Sequence, residues 1–150
     1  MSFDIRPVHP ADREQWAALY RGYRDFYEQT PDESVIDGVW SWLMDEARDF
    51  HGFVADRDGT LLGLAHWRHF DRPIVARVAV YLDDLFVAPD LRGGGVGRAL
   101  IGAVEQVARD EGAPLVRWIT DASNETARRL YDSVATATPY VTYDLRVTGS

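Results

Sequence analysis

From Phe3 to Val8 apolar and polar residues alternate, the period of a half-buried strand, and Pro10 ends the run. The period then lengthens. Trp16, Leu19, Tyr20, Tyr23, Phe26 and Tyr27 recur three and four positions apart, which predicts a helix with an aromatic stripe and Asp12 as its N-cap. Thr30-Pro31-Asp32 breaks that helix. Val35, Ile36, Val39, Trp40, Leu43 and Met44 then form the apolar side of a second helix from about Glu33 to Arg48.

Two strand-like runs, Phe50 to Ala55 and Thr60 to Trp67, flank Asp56-Arg57-Asp58-Gly59, a hairpin turn in which Gly59 tolerates positive φ. After Arg72-Pro73, β-branched and aromatic residues from Ile74 to Val87 predict a long strand that stops before Pro89. Val96, Leu100, Ile101, Val104 and Val107 keep helical spacing from about Gly95 to Glu111, with Gly112 and Pro114 as the stop. A strand over Leu115 to Thr120, a short helix over Asn124 to Asp132 and a last strand over Pro139 to Val147 complete the order βααβββαβαβ. That order predicts one α/β domain over residues 1–150 with a mixed central sheet, its parallel part made by the βαβ crossover.

A chain of 150 residues is near the size of one domain and buries roughly two thirds of its unfolded surface. Its charge bounds the partners: 16 Lys plus Arg against 24 Asp plus Glu give a net charge of -8. That balance repels polyanions, so no nucleic-acid partner is expected; it serves solubility or draws a cationic substrate. The absence of cysteine excludes disulfides, thiolate metal sites and a cysteine nucleophile. The first ten residues lack a signal-type apolar stretch and no window reaches the ~18 apolar residues of a membrane span, so a cytoplasmic protein without a membrane partner is expected. His9, His51, His66 and His69 show no metal-ligand spacing. His66 and His69, three apart in a strand, face opposite sides, and no metal is expected.

Arg92-Gly93-Gly94-Gly95-Val96-Gly97-Arg98 stands between a strand and a helix. Free N–H groups and the positive end of the helix dipole converge there on a place for an anion, glycines let phosphate oxygens reach the backbone, and Arg92 or Arg98 adds charge. By itself such a loop can be only a flexible turn. A Walker A loop would need Gly-Lys followed by Ser or Thr, which is absent, and a dinucleotide fingerprint would need glycine where Leu100 stands. The pattern present is Arg-x-x-Gly-x-Gly in Arg92, Gly95 and Gly97, after Leu85-Phe86-Val87 and Pro89. It resembles the coenzyme A pyrophosphate motif of the GNAT superfamily of N-acetyltransferases. About thirty residues on, Asn124, Ala127, Leu130 and Tyr131 in Asn-x-x-Ala-x-x-Leu-Tyr match a second motif of that family. Tyr81-Leu82-Asp83-Asp84 resembles the Tyr-Leu-Glu-Asp stretch of diamine acetyltransferases. Leu130-Tyr131-Asp132 with Pro139-Tyr140-Val141-Thr142-Tyr143 is similar to the yeast histone and polyamine acetyltransferase group. Ala135 departs from the pattern, since many members carry glycine there.

The resemblance implies a GNAT-type acyl-CoA N-acyltransferase fold, an α/β domain with a central mixed twisted sheet of six to seven strands and about four flanking helices. It implies transfer of acetyl from acetyl-CoA directly to a primary amine, on a polyamine, amino acid or other small molecule more than on a protein lysine. Such transfer needs a base, because an ammonium near its reference pKa of ~10 has no free lone pair at neutral pH. Asp83, with Asp84 as the alternative, matches the base, acting through water; alternation places the two on opposite faces of the strand. Tyr131 matches the acid that protonates the departing thiolate. The coenzyme contacts implied are Leu85, Phe86, Val87, Arg92, Gly93, Gly94, Gly95, Val96, Gly97, Arg98, Asn124 and Ala127. A bulge at Phe86 would open the strand, and its N–H would hold the thioester oxygen. Tyr27 and Glu28, with Asp32 and Glu33, could form an anionic aromatic mouth for the acceptor, with Asp84 also on it. The aromatic last strand points to a homodimer. A non-catalytic acetyl-CoA-binding module is the competing reading, against which Tyr131 and a carboxylate at position 83 both count.

Overall fold

The computed structural model describes residues 2–148, which fall into two compact units, Met1–Ile119 and Thr120–Ser150. The first unit is built on a five-stranded sheet in sequential order: β1 (Asp4–Pro7), β2 (His51–Arg57), β3 (Thr60–Arg72), β4 (Arg77–Val87) and β5 (Val116–Arg117). The first four strands are antiparallel neighbours. β4 and β5 run parallel, joined by the crossover helix α3 (Val96–Asp110). Helices α1 (Arg13–Phe26) and α2 (Glu33–Met44) lie between β1 and β2 in sequence.

Local chemistry explains where these elements depart from expectation. Asp12 does not cap α1 with its side chain. Its carboxylate instead accepts from Arg6 Nη1 at 2.8 Å, Arg6 Nη2 at 2.9 Å and the His9 N–H at 2.7 Å, tying β1 to the helix start. The Arg6 hydrogen bonds hold the Asp12 carboxyl below its ordinary value. Helix α2 ends at Met44 rather than near Arg48, because Asp45 turns to an extended backbone and its Oδ1 accepts from the Ala47 N–H, the competition that short polar side chains offer a helix. The β2–β3 turn is a two-residue hairpin with both Asp58 (φ 52°) and Gly59 (φ 89°) left-handed, as predicted at Gly59.

The aromatic stripe of α1 is buried only over its first half. Trp16, Leu19 and Tyr20 enter the core with Ile36, Trp40, Val54, Leu64 and Phe86, while Phe26 and Tyr27 reach the surface. On α3, Val96, Leu100, Val104 and Ala108 are buried; each large aliphatic side chain so placed contributes about 1.5–3 kcal/mol.

Two features of β4 position the site. His66 pairs with Asp84 but the next residue, Trp67, pairs with Leu82, so Asp83 is an extra residue, a bulge. Neighbours on a strand alternate faces, so His66 and Asp84 share one face while Trp67 and Leu82 share the other. The bulge sits at Asp83, not at Phe86, and the simple alternation expected for the two aspartates is broken there. Moreover, β5 has two residues instead of the predicted six and meets only Val80 and Tyr81. Below Tyr81, that edge of β4 has no strand partner among the described residues.

In the second unit α4 (Glu125–Val134) is capped by Asn124, whose Oδ1 accepts from the Ala127 N–H at 3.2 Å. Residues 139–147 form no strand, and Tyr140, Tyr143 and Leu145 are exposed. Their alternation suits a strand, but a strand exists only in a ladder, and no ladder forms there among the described residues. Among the described residues the sheet therefore has five strands rather than six to seven, with the four helices expected. No helix is long and apolar enough to cross a membrane among the described residues.

Candidate active site

The bulge lets both Asp83 and Asp84 line one cavity of about 360 Å³, together with Tyr20, Trp42, Arg48, Asp49, Phe50 and Arg68. Asp84 is the deeper carboxylate. It meets His66 Nδ1 at 2.7 Å and accepts from the Tyr20 hydroxyl at 3.2 Å, with Tyr23 as a further donor. On the far side of the imidazole, the Trp16 indole donates to His66 Nε2 at 3.0 Å. An indole N–H can only donate, so Nε2 must accept and the ring proton sits on Nδ1, aimed at Asp84. Burial alone would raise the Asp84 carboxyl, but the bonds from His66, Tyr23 and Tyr20 outweigh it and hold the group below its ordinary value. Burial, reinforced by Asp84, pushes the Tyr20 and Tyr23 phenols far up, so both stay donors.

Asp83 behaves in the opposite way. Burial raises its carboxyl above the ordinary value, and the Arg68 guanidinium, 3.0 Å away, offsets only part of that. The neighbouring Asp84 adds to the rise. A carboxylate so held is a stronger base than one in water. Arg68 in turn lies over the Tyr81 ring at 4.7 Å. Arg48 lies over the Trp42 ring at 4.3 Å and makes no ion pair among the described residues.

At the other end of β4, Gly93 (φ 88°) and Gly95 (φ 86°) take left-handed backbone, and Gly95 is the N-cap of α3. A Cβ at either would meet open space, so only their dihedrals demand glycine. Val96 and Gly97 open α3, and the first turn of a helix directs its N–H groups outward along the axis, which suits a diphosphate. Arg92 Nε donates to the Val87 carbonyl, and its guanidinium stands 5.4 Å from both the Phe26 and the Phe86 ring. A second cavity, of about 440 Å³, is lined by Gly22, Phe26, Phe86, Pro89 and Arg92. Gly63 lets β3 approach closely here: a Cβ would stand 2.7 Å from the Phe86 carbonyl oxygen.

Leu85, Phe86 and Val87 thus run from the acidic pair toward the glycine loop, as the sequence implied. Tyr27 is the C-cap of α1, with its ring 5.0 Å from that of Tyr23; Glu28 follows with φ 56°. Asp32 is occupied in capping α2 and Glu33 in pairing with Arg21 at 2.7 Å. Asn124, Ala127 and the half-buried Tyr131 all sit on or at the start of α4. His66 and His69 do face opposite ways, yet His69 meets His51 and Asp49, a grouping that sequence distance hid. Sequence reasoning missed Trp16, Tyr20, Tyr23 and His66 as one network. The signal present was a histidine inside the otherwise apolar run Leu61–Trp67. Arg48 gave no signal.

A family model described as Acetyltransferase (GNAT) family matches residues 16–135. The chain belongs to this family. It is therefore an acyltransferase, of a family whose members use acetyl-CoA. This GNAT chain is 31% identical over 141 residues to the D-amino-acid N-acetyltransferase HPA3 of Saccharomyces cerevisiae, covering 93% of this chain and 88% of the yeast protein. It is 32% identical to the phosphinothricin N-acetyltransferase of Alcaligenes faecalis, over 85% of this chain and 66% of that one. Among solved structures, a ribosomal-protein-alanine N-acetyltransferase from Brucella melitensis biovar Abortus 2308 superposes with a TM-score of 0.81 at 24% identity, over 98% of this chain and 100% of the other. At that identity the likeness concerns the fold.

Proposed function

We propose that this GNAT chain moves acetyl from acetyl-CoA to the amine of a small acceptor that also bears an anion, an amino acid foremost. The observation that carries this is the pairing, in one cavity, of two carboxylates with the Arg48 guanidinium, which Trp42 supports and which no carboxylate among the described residues pairs with. Carboxylates suit an ammonium; a guanidinium suits a carboxylate. A relative named for D-amino acids supports the same class. Polyamines satisfy only half of such a cavity.

The residues take these roles over residues 1–150, acting as one N-acetyltransferase domain. Amides and side chains of Arg92, Gly93, Gly94, Gly95, Val96, Gly97 and Arg98 grip the diphosphate, and Leu85, Phe86 and Val87 present the open edge of β4 to the pantetheine arm. An N–H of Leu85 or Val87 holds the thioester oxygen, because the Phe86 backbone faces β3, and Asn124 and Ala127 add contacts from α4. Asp83, through a water, takes the proton of the acceptor ammonium. The freed lone pair attacks the thioester carbonyl carbon, the C–S bond breaks, and Tyr131 gives the thiolate its proton; the attacking nitrogen sheds its second proton to water, from which Tyr131 is reprotonated, leaving an acetamide and the free thiol. Tyr27, Glu28 and Asp84 bound the approach of the amine. Two copies pair through residues 139–147.

A thiol-release assay with acetyl-CoA tests the reading on three matched acceptors: an amino acid, its amide and the decarboxylated amine. The amino acid is expected to have the highest kcat/KM, and Arg48→Gln to erase that preference through KM, while Tyr131→Phe lowers turnover and spares acetyl-CoA affinity. No release with any acceptor would leave a coenzyme-binding module. Preference for the decarboxylated amine would remove the amino-acid class.

A further inference from the structure

Away from the acidic pair, the opposite face of the sheet gathers a second set of titratable side chains. His51 opens β2, and Trp67 stands directly across from it on β3, their rings stacked at 4.3 Å. Two residues along β3 on the same face is His69, with its ring 5.9 Å from that of His51. Asp49, from the segment between α2 and β2, reaches both: its Oδ1 is 2.9 Å from His51 Nε2 and 2.7 Å from His69 Nδ1. Its Oδ2 is fixed separately by the His69 backbone N–H at 3.1 Å. The remaining imidazole nitrogen, His69 Nε2, lies 2.7 Å from Glu111 at the end of α3.

The hydrogen count is informative. Glu111 can only accept, so Nε2 of His69 carries a proton toward it; in a ring with a single proton, Nδ1 then points a lone pair at the Asp49 oxygen. Two acceptors 2.7 Å apart need a positive centre between them. A second ring proton would serve, and the two carboxylates do favour that form of His69 against the opposing effect of burial. A metal ion would serve equally and would also use His51, because one ligand atom from each of Asp49, His51 and His69 lies within 4.8 Å of the others.

We propose that Asp49 Oδ1, His51 Nε2 and His69 Nδ1 form a binding site for a borderline divalent transition ion of the Zn²⁺ class, with Glu111 orienting His69. Two imidazoles and one carboxylate suit Zn²⁺, Co²⁺ or Ni²⁺ better than the all-oxygen preferences of Mg²⁺ or Ca²⁺. Glu111 on the far nitrogen reproduces the carboxylate–histidine–metal arrangement that sets tautomer and ring orientation. Ligands at about 2.0–2.1 Å in tetrahedral array stand roughly 3.3–3.5 Å apart, so Asp49 must draw back by about half an ångström, a small movement for a surface side chain. Stacking on Trp67 already fixes His51. The site bears on the acceptor cavity through the chain, since Asp49 and Arg48 both line it. An ion there pins that stretch of the wall to β3.

Calorimetric titration of the protein with ZnCl2 near neutral pH, and the visible spectrum after Co²⁺ addition, test this without reference to turnover. Expected are one ion per chain, tetrahedral-type Co²⁺ absorption, and a rise in melting temperature with Zn²⁺. His51→Ala and His69→Ala should each abolish the spectrum while melting normally in chelator, and Glu111→Gln should weaken binding about 10–100-fold. Absence of saturable binding in the wild-type chain, or binding that survives His69→Ala, overturns the proposal and leaves an imidazolium bridge between Asp49 and Glu111.

Discussion

Replacing His66 with Leu severs two bonds at once on a fully buried ring, and each has its own cost. The Trp16 N–H, on a side chain with no exposure, loses its acceptor, at about 1–3 kcal/mol for an orphaned buried donor. Asp84 loses a charge-assisted bond, at about 1.5–3 kcal/mol. The two are coupled through one ring, so about 3–5 kcal/mol is expected in total, or a fall in melting temperature of roughly 6–20 °C for a domain of this size. The pH dependence separates this from a simple packing defect. In the wild-type chain Asp84 lies below its ordinary value, so it adds stability above the unfolded carboxylate range, and that stability disappears as pH falls through its folded value. Without His66 the burial effect gains weight and Asp84 becomes costly when ionised. The gap between the two proteins should thus be widest at neutral pH and narrow sharply in acid. His66→Asn, which keeps an N–H for Asp84 but offers Trp16 nothing, should recover about half. Urea unfolding of the three proteins at several pH values is the assay. A deficit under about 1 kcal/mol, or one that is the same in acid as at neutrality, would refute the reasoning.

Asp83→Asn should lower kcat/KM by about 10²-fold and erase the acid limb of the pH–rate profile. That limb should lie above the ordinary carboxylate range, since burial raises Asp83 and the rate falls as the base is protonated; a limb that persists in the variant excludes Asp83 as the base. Gly95→Ala places a side chain at φ 86° but against no neighbour, so the cost is conformational, about 1–2 kcal/mol. Its signature is weaker acetyl-CoA binding by calorimetry beside a fall in melting temperature of about 2–8 °C, and unchanged affinity would free the loop of its assigned role. Removing residues 139–148 should convert a dimer to a monomer in light scattering; a full-length monomer would end the pairing idea.

Much of the architecture was legible because two periods, two and near four, alternate cleanly along the chain. Glycine and proline punctuation placed β2, α3 and the start of β3 within two residues, while β3 runs past the expected Trp67 to Arg72. Strand partnership was not legible. Pro139 to Val147 has the alternation of a strand, and Leu115 to Thr120 the composition of one, yet a ladder depends on what lies alongside. The glycine loop announced itself because its spacing is local. The Trp16–His66–Asp84 chain joins residues fifty and eighteen positions apart, and Asp49–His69 spans twenty, distances at which no motif operates. The bulge was equally hidden, since Asp83 reads as an ordinary strand residue until its partner strand is counted against it.

That one supernumerary residue decides which way the far half of β4 faces. Ahead of it, even-numbered side chains such as Leu82 look one way; beyond it, the even-numbered Asp84 and Phe86 look the other. Excising position 83 would leave a regular ribbon that keeps the pairs Trp67 with Leu82 and His66 with Asp84, and with them both faces, at the loss of one carboxylate. The bulge is accordingly the place where this strand can lose a residue without reversing, whereas a change of length in a regular ladder would exchange the two faces.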